Sequence, residues 1–194
     1  LAAVVPRGAA QAMGTFVPFA DAGEGGLAYA VWMPGRDFVW PARTSLLADG
    51  AQSRSRDGNQ PGSICDDDPK TFAVTFDGTR RDEDWYAVAP DAPVEIRRVV
   101  YHHGRTFHDG GWFVGAPRIE VRRSADGPWE PVGTVAGYPA TTATDPAGLR
   151  DGQPFACDLP AAVRVAAVRV VGTPAHGDNP NQAFSSCGEL AAHP

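Results

Sequence analysis

From Val94 to Tyr101 the chain alternates in the manner of a half-buried strand: Val94, Ile96, Val99 and Tyr101 are apolar, while Glu95, Arg97 and Arg98 interrupt them. Short runs of similar character recur at 72–76, 84–89, 117–124, 129–135, 154–159, 162–172 and 183–192. Within 162–172 the apolar residues stand at 163, 165, 168, 170 and 171, around Arg164 and Arg169, and the β-branched content favours strand over helix. Ala125-Asp-Gly-Pro128 is a turn signal between two of these runs. Roughly eight short strands with turns between them and no amphipathic helix predict an all-β, antiparallel sandwich.

Two further runs, Thr15–Phe19 and Leu27–Met33, flank a Gly-rich turn and read as a hairpin. A two-stranded hairpin is not stable alone, so residues 1–40 are expected to be the remnant of a preceding β domain and its linker. Residues 41–62 are polar and turn-rich, and a boundary is expected there, with 41–194 forming the sandwich.

Composition narrows the function. The 194 residues include 22 Gly and 18 Pro, too many for a helical protein, and 43% are hydrophobic, enough to build a core. A net charge of −6 disfavours nucleic acid as a partner, because that affinity rests on clustered Lys and Arg. No run of about 20 apolar residues is present to span a membrane. The first ten residues lack the basic-then-apolar layout of a signal peptide, and the expectation is a piece of a longer polypeptide.

Chemistry concentrates in the loop after the 94–101 strand. Residues 102–113 hold three His, two Phe, one Trp, one Asp and three Gly. Aromatic faces with hydrogen-bonding tips suit a flat polar ligand such as a sugar, and His103, His108 and Trp112 are the candidates from this loop. The three His lack a recognised zinc spacing, and Ser185 and Ser186 lack the setting of a nucleophile; an enzymatic role is not expected. Asp66, Asp67 and Asp68 repel one another unless solvated or holding a hard cation such as calcium. Three Cys, at 65, 157 and 187, have no Cys-x-x-Cys spacing and leave open one disulfide or three buried thiols.

Several pieces resemble a known family. I-C-D-D-D-P-K-T-F (64–72), D-W-Y-A-V-A (84–89), I-E-V-R-R-S-A-D-G-P-W-E-P-V (119–132), V-A-A-V-R-V-V-G (165–172) and S-S-C-G-E-L (185–190) stand in the order of a coagulation factor 5/8 type C domain, also called discoidin-like. This family is close to the family 32 carbohydrate-binding modules. The resemblance implies a jelly-roll β-sandwich, galactose-binding-like, that is often appended to glycosidases. It also implies a structural calcium held by Asp66, Asp68, Thr71 and Glu189, with Asp67 standing where the family has Gly. Cys65 and Cys187 flank these pieces, so a shared calcium would bring them together as a disulfide or as two thiols. The family's sugar site uses the loop before the last strand, which adds Asn179, Asn181 and Phe184. The hairpin V-P-F-A-D-A-G-E-G-G-L-A-Y-A-V-W-M-P (17–34) resembles the closing hairpin of the β-sandwich in glycoside hydrolase family 127, the β-L-arabinofuranosidases. Together these imply a non-catalytic module that holds a preceding catalytic domain on a galactose- or arabinose-containing glycan. The competing expectation is a module that packs on the catalytic domain and binds no glycan.

Overall fold

The structure, a computed structural model, describes residues 44–194 in full and, before them, the backbone of two short strands. Contacts divide the chain into two compact units, Leu1–Arg43 and Thr44–Pro194. In the first unit β1 (Val17–Phe19) pairs antiparallel with β2 (Ala28–Ala30), Val17 opposite Ala30. The rest of the two expected strands, Thr15–Phe19 and Leu27–Met33, and the Gly-rich turn between them lie outside the described residues.

The second unit is a sandwich of two five-stranded sheets, and every strand pairing in it is antiparallel. One sheet runs β10 (Pro154–Val165), β7 (Val94–His103), β12 (Ser186–His193), β5 (Ala73–Val74), β4 (Gln60–Pro61). The other runs β3 (Ala51–Arg54), β6 (Asp84–Ala89), β11 (Ala167–Gly172), β8 (Arg118–Arg122), β9 (Glu130–Thr134). No helix occurs among the described residues. The expected all-β sandwich is therefore the observed architecture.

The core forms where alternate residues of the two sheets meet. Ile96, Val99, Tyr101 and Leu190 from one sheet and Tyr86, Val88, Ile119, Val121, Val168 and Val170 from the other are fully buried in a single cluster. The expected face of β7 holds at Ile96, Val99 and Tyr101, but its phase slips at Arg97 and Arg98, which are both exposed. There the partner strand β10 bulges, Asp158 pairing with Arg98 and Val163 with Ile96. A bulge adds residues to one strand and shifts the pleat.

One expectation is corrected. The run 162–172 is not one strand: it breaks at Ala166, Val163–Val165 pairing with β7 and Ala167–Gly172 with β6 and β8 of the opposite sheet. Both sides of the corner are β-branched and apolar, so composition does not mark it. Residues 45–62, polar and turn-rich in sequence, build part of the sandwich. Leu47 is fully buried, Leu46 N–H donates to the Ala192 carbonyl at 2.8 Å, and β3 and β4 are edge strands of the two sheets. Both edges lie largely in solvent, so neither shows the alternation that a half-buried strand does.

Candidate functional site: an aromatic row between two clefts

At the end of β7 the chain turns through Gly104 into the loop 104–113, which the start of β12 and the loop before it hold in place. The Ser186 hydroxyl accepts from Arg105 N–H at 2.7 Å and lies 2.7 Å from the Gly111 carbonyl, to which it can donate. Gly111 N–H donates to the Phe184 carbonyl at 3.0 Å, and Phe184 N–H to that of Ala175 at 3.0 Å. Gly110 and Gly111 have φ of 144° and 101°, a region that residues with a β-carbon rarely adopt. A β-carbon on Gly111 would lie 2.5 Å from the Arg105 carbonyl, and one on Gly110 would lie 2.7 Å from the Phe184 ring. These two glycines let the loop close down so that Phe107 meets Phe184.

The outcome is a row of four phenylalanines. Phe72 and Phe107 have ring centroids 6.4 Å apart and planes inclined by 51°; Phe107 and Phe184 are 5.9 Å apart, again at 51°; Phe184 and Phe76 are 5.1 Å apart at 73°. Phe184 is buried, whereas Phe72, Phe107 and Phe76 are each only half-buried. The row joins two clefts. One is lined by Arg56, Asp57, Gly58, Asn59, Phe76 and Asp77. The other is lined by Pro69, Lys70, Phe72, Gly104, Arg105, Asp151 and Gly152. In the second, Arg105 lies over the Phe72 ring at 5.2 Å and pairs with Asp151 at 3.2 Å.

The first cleft stands on a buried ion pair. Asp84 is fully buried, and its carboxylate accepts from Arg56 Nε at 3.2 Å and Nη2 at 2.9 and 3.0 Å, from Ser55 Oγ at 3.0 Å, from Ser185 N–H and Oγ at 3.1 Å, and from Thr75 Oγ1. Arg56 also donates to Asp77 at 2.7 Å and to the carbonyls of Thr79 at 3.2 Å and Ala183 at 2.7 Å. A guanidinium has five N–H groups, and these partners occupy them. Arg56 is thus a brace that holds the cleft wall, while Asp57, Asn59 and Asp77 supply its rim.

Of the six expected ligand residues, three are corrected. Trp112 is 1% exposed, packs in the core and donates its indole N–H to the Thr142 carbonyl at 2.8 Å. His103 is fully buried, its Nε2 3.0 Å from Thr106 Oγ1, and burial pushes its pKa down to about 4, so it is neutral. Phe184 is 4% exposed and forms the floor of the aromatic row rather than a face open to ligand. The other three reach solvent to differing degrees. His108 is exposed, with Nδ1 3.0 Å from the Asp178 carboxylate, which holds its pKa up. Asn179 is half-buried and its Oδ1 accepts from Asn181 N–H at 3.2 Å, closing the turn; Asn181 is exposed.

Phe72, Phe76, Phe107, Asn59, Asp77 and Arg105 are the site residues that sequence reasoning missed. Phe72 and Phe76 bracket an apolar run and read as core-facing strand positions, yet the strand β5 covers only Ala73 and Val74. The Arg56-Asp-Gly-Asn59 turn carried the one usable signal.

Asp66, Thr71 and Glu189 lie in one place, and Asp68 joins them through its carbonyl while its carboxylate accepts from Lys70 N–H at 3.0 Å. Thr71 Oγ1 lies 3.1 and 3.2 Å from the two Asp66 carboxylate oxygens, 2.9 Å from the Asp68 carbonyl and 3.2 Å from that of Ser63. A hydroxyl has one proton to donate, so it satisfies one of these four acceptors and leaves a surplus of lone pairs. Glu189 is 2% exposed; its Oε1 accepts from Asp67 N–H at 3.3 Å and its Oε2 is buried without a hydrogen-bond partner. Burial first, then Asp66 and Asp67, push its carboxyl up to about 7. Asp67, where the resemblance has Gly, takes a left-handed φ of 62°, which Asp tolerates better than most residues. Among the described residues no group of three or more His, Cys, Asp or Glu is set to ligate a metal, so a cation here would rely on backbone carbonyls as well. The donor set, hard oxygens around an orphaned carboxylate oxygen, suits calcium. Cys65, Cys157 and Cys187 are free buried thiols, so of the two alternatives for Cys65 and Cys187 the structure has the thiols.

No family model matches the chain, and no curated protein does. Solved structures do. Chitosan-binding module 1 from a chitosanase/glucanase of Paenibacillus sp. IK-5 is similar with a TM-score of 0.53 at 18% identity, covering 77% of this chain and 98% of the module. The family 32 carbohydrate-binding module of C. perfringens NanJ, solved with galactose, has a TM-score of 0.54 at 14% identity, covering 77% of this chain and 97% of its own. CpGH89CBM32-5 from Clostridium perfringens, solved with GalNAc-β-1,3-galactose, has a TM-score of 0.55 at 11% identity, covering 78% and 99%. The two five-stranded sheets and these likenesses together establish that the chain has the discoidin-like, galactose-binding-like β-sandwich fold of the family 32 carbohydrate-binding modules.

Proposed function

We propose that residues 44–194 form a non-catalytic glycan-binding module, and that its site is the aromatic row with its two clefts. The observation that carries this reading is the set of three half-buried phenylalanines, Phe72, Phe107 and Phe76, beside the polar rims of Asn59, Asp57 and Asp77 at one end and Arg105 and Asp151 at the other. An aromatic ring buries the apolar face of a sugar, and amide and carboxylate tips meet its hydroxyls. Modules of this fold solved with galactose and with GalNAc-β-1,3-galactose support a galactose-containing ligand; an arabinose-containing one rests on the hairpin at residues 17–34. The role is to hold a glycoside hydrolase of the same polypeptide on its substrate, which the chitosanase/glucanase origin of one similar module supports.

A shallow open site gives weak binding, with Kd on the order of 0.1–1 mM. Calorimetry of the chain against galactose, arabinose and oligosaccharides containing them tests the reading. Binding should disappear in Phe107→Ala and persist in Arg164→Ala, which changes an exposed residue of β10. Absence of binding on a broad glycan array would leave the purely structural role, packing on a catalytic domain. We also propose that Asp66, Asp68, Thr71 and Glu189, with nearby carbonyls, hold a structural calcium. Isothermal titration with calcium after EGTA treatment tests that separately, and a melting temperature indifferent to both would remove the site.

A further inference from the structure

We infer that the aromatic row is one continuous site for a single, twisted oligosaccharide chain of three or more sugar units, rather than a pocket for a terminal monosaccharide. This deepens the glycan-binding reading and rests on it. Three features of the row carry the inference. First, its two ends lie in different clefts: Phe76 lines one and Phe72 the other, with Phe107 and Phe184 in contact between them. A monosaccharide would use one cleft and leave the other idle. Second, the two neighbouring rings that reach solvent, Phe72 and Phe107, have centroids 6.4 Å apart, comparable to the advance per sugar unit along a pyranose chain, and Phe184 is the floor between Phe107 and Phe76. Third, the planes of these two rings are inclined by 51°. A flat ribbon, as on the surface of crystalline cellulose or chitin, demands coplanar rings. Inclined rings instead follow a chain whose sugar faces rotate from unit to unit.

The polar groups agree with two terminal subsites of different character. At the Phe76 end the guanidinium of Arg56 is occupied by Asp84, Asp77 and two carbonyls, so the groups left for sugar hydroxyls are the acceptors Asp57 and Asp77 and the amide of Asn59. At the Phe72 end the half-exposed Arg105, anchored over the ring, and Lys70 are donors. A chain laid along the row would therefore meet mostly acceptors at the Phe76 end and, at the Phe72 end, the cations Lys70 and Arg105 with the Asp151 carboxylate paired to Arg105, so its two ends are not equivalent.

Calorimetry of the full 194-residue chain with length series of β-1,3-linked galacto-oligosaccharides and of chito-oligosaccharides, one to five units each, tests this. Each added stack is worth a few-fold in affinity, so Kd should fall about tenfold or more between one unit and three or four, then level off. Phe72→Ala and Phe76→Ala, checked by thermal melt, should each flatten the length dependence, the longest ligand losing the most affinity. Microcrystalline cellulose and chitin should not pull the protein down. Equal Kd values for the first and last members of a series that does bind would overturn the extended site and leave the glycan-binding reading standing. Binding by no member of either series, together with a blank glycan array, would overturn both.

Discussion

The buried pair of Arg56 and Asp84 supports a strong prediction. Arg56 is 7% exposed and Asp84 fully buried. Replacing Arg56 by Met keeps the apolar bulk but leaves the Asp84 carboxylate in the interior with only the Ser55, Thr75 and Ser185 donors. Removing one partner of a buried ion pair costs about 3–5 kcal/mol. For a domain of this size that is about 10 °C in melting temperature, out of a total stability of roughly 5–15 kcal/mol. Asp84→Asn, though isosteric, should cost a similar amount. If the new amide nitrogen takes the Oδ2 position it faces the Ser185 N–H; if it takes the Oδ1 position it faces Arg56 Nε. Neither donor can reverse its role. Urea denaturation of both single variants and the double variant gives the coupling, which should be about 1–3 kcal/mol because the two groups share one network. Losses below about 1 kcal/mol in each single variant, adding without coupling, would refute the claim that this pair braces the cleft wall.

Four further outcomes follow from the same structure. Glu189 has a higher pKa folded, about 7, than its ordinary 4.5, so its ionised form destabilises: in EGTA its own contribution to stability should decline by about 3 kcal/mol as pH rises from 4.5 to 7 and stay low above that, against an opposite rise from His103, whose folded pKa is lowered to about 4. Melts at pH 5 and pH 8 should show that Glu189→Gln removes much of this decline, and that it removes stabilisation by calcium. Trp112→Ala should lose about 3–5 kcal/mol in urea denaturation, as a core residue does, whereas a ligand-facing tryptophan would cost binding and little stability. Gly111→Ala should cost about 2 kcal/mol or more, through its positive φ and the clash with the Arg105 carbonyl, and should abolish glycan binding by displacing Phe107. Titration with a thiol reagent should find Cys65, Cys157 and Cys187 unreactive in the native state and all three reactive after unfolding without reductant; one reactive thiol would indicate a disulfide.

What the sequence determined by itself was the local part of the structure. The alternation in β6 and β7 and the Asp-Gly turn before Trp129 are period-two signals that need no partner to be read. The order of short motifs from Ile64 to Leu190 pointed to the sandwich as a whole, and it brought Asp66, Thr71 and Glu189 to one place across more than a hundred residues. Edge strands β3 and β4 escaped notice because solvent on both faces imposes no alternation, and the corner at Ala166 because the chain is apolar on both sides of it.

The binding surface was decided only by tertiary packing. Trp112, His103 and Phe184 look like ligand residues in the sequence because they are aromatic or polar and sit in loops. Trp112 is capped by the Thr142 carbonyl, Phe184 lies beneath Phe107 and Phe76, and His103 ends β7 inside the sheet, opposite Cys187 of β12. Conversely, Phe72 and Phe76 look like core residues, but β5 is only two residues long and leaves both partly in solvent. Whether a ring becomes floor or face depends on contacts between segments as distant as 72, 107 and 184. Hydrophobicity along the chain records that a ring is apolar, and not which neighbour will cover it.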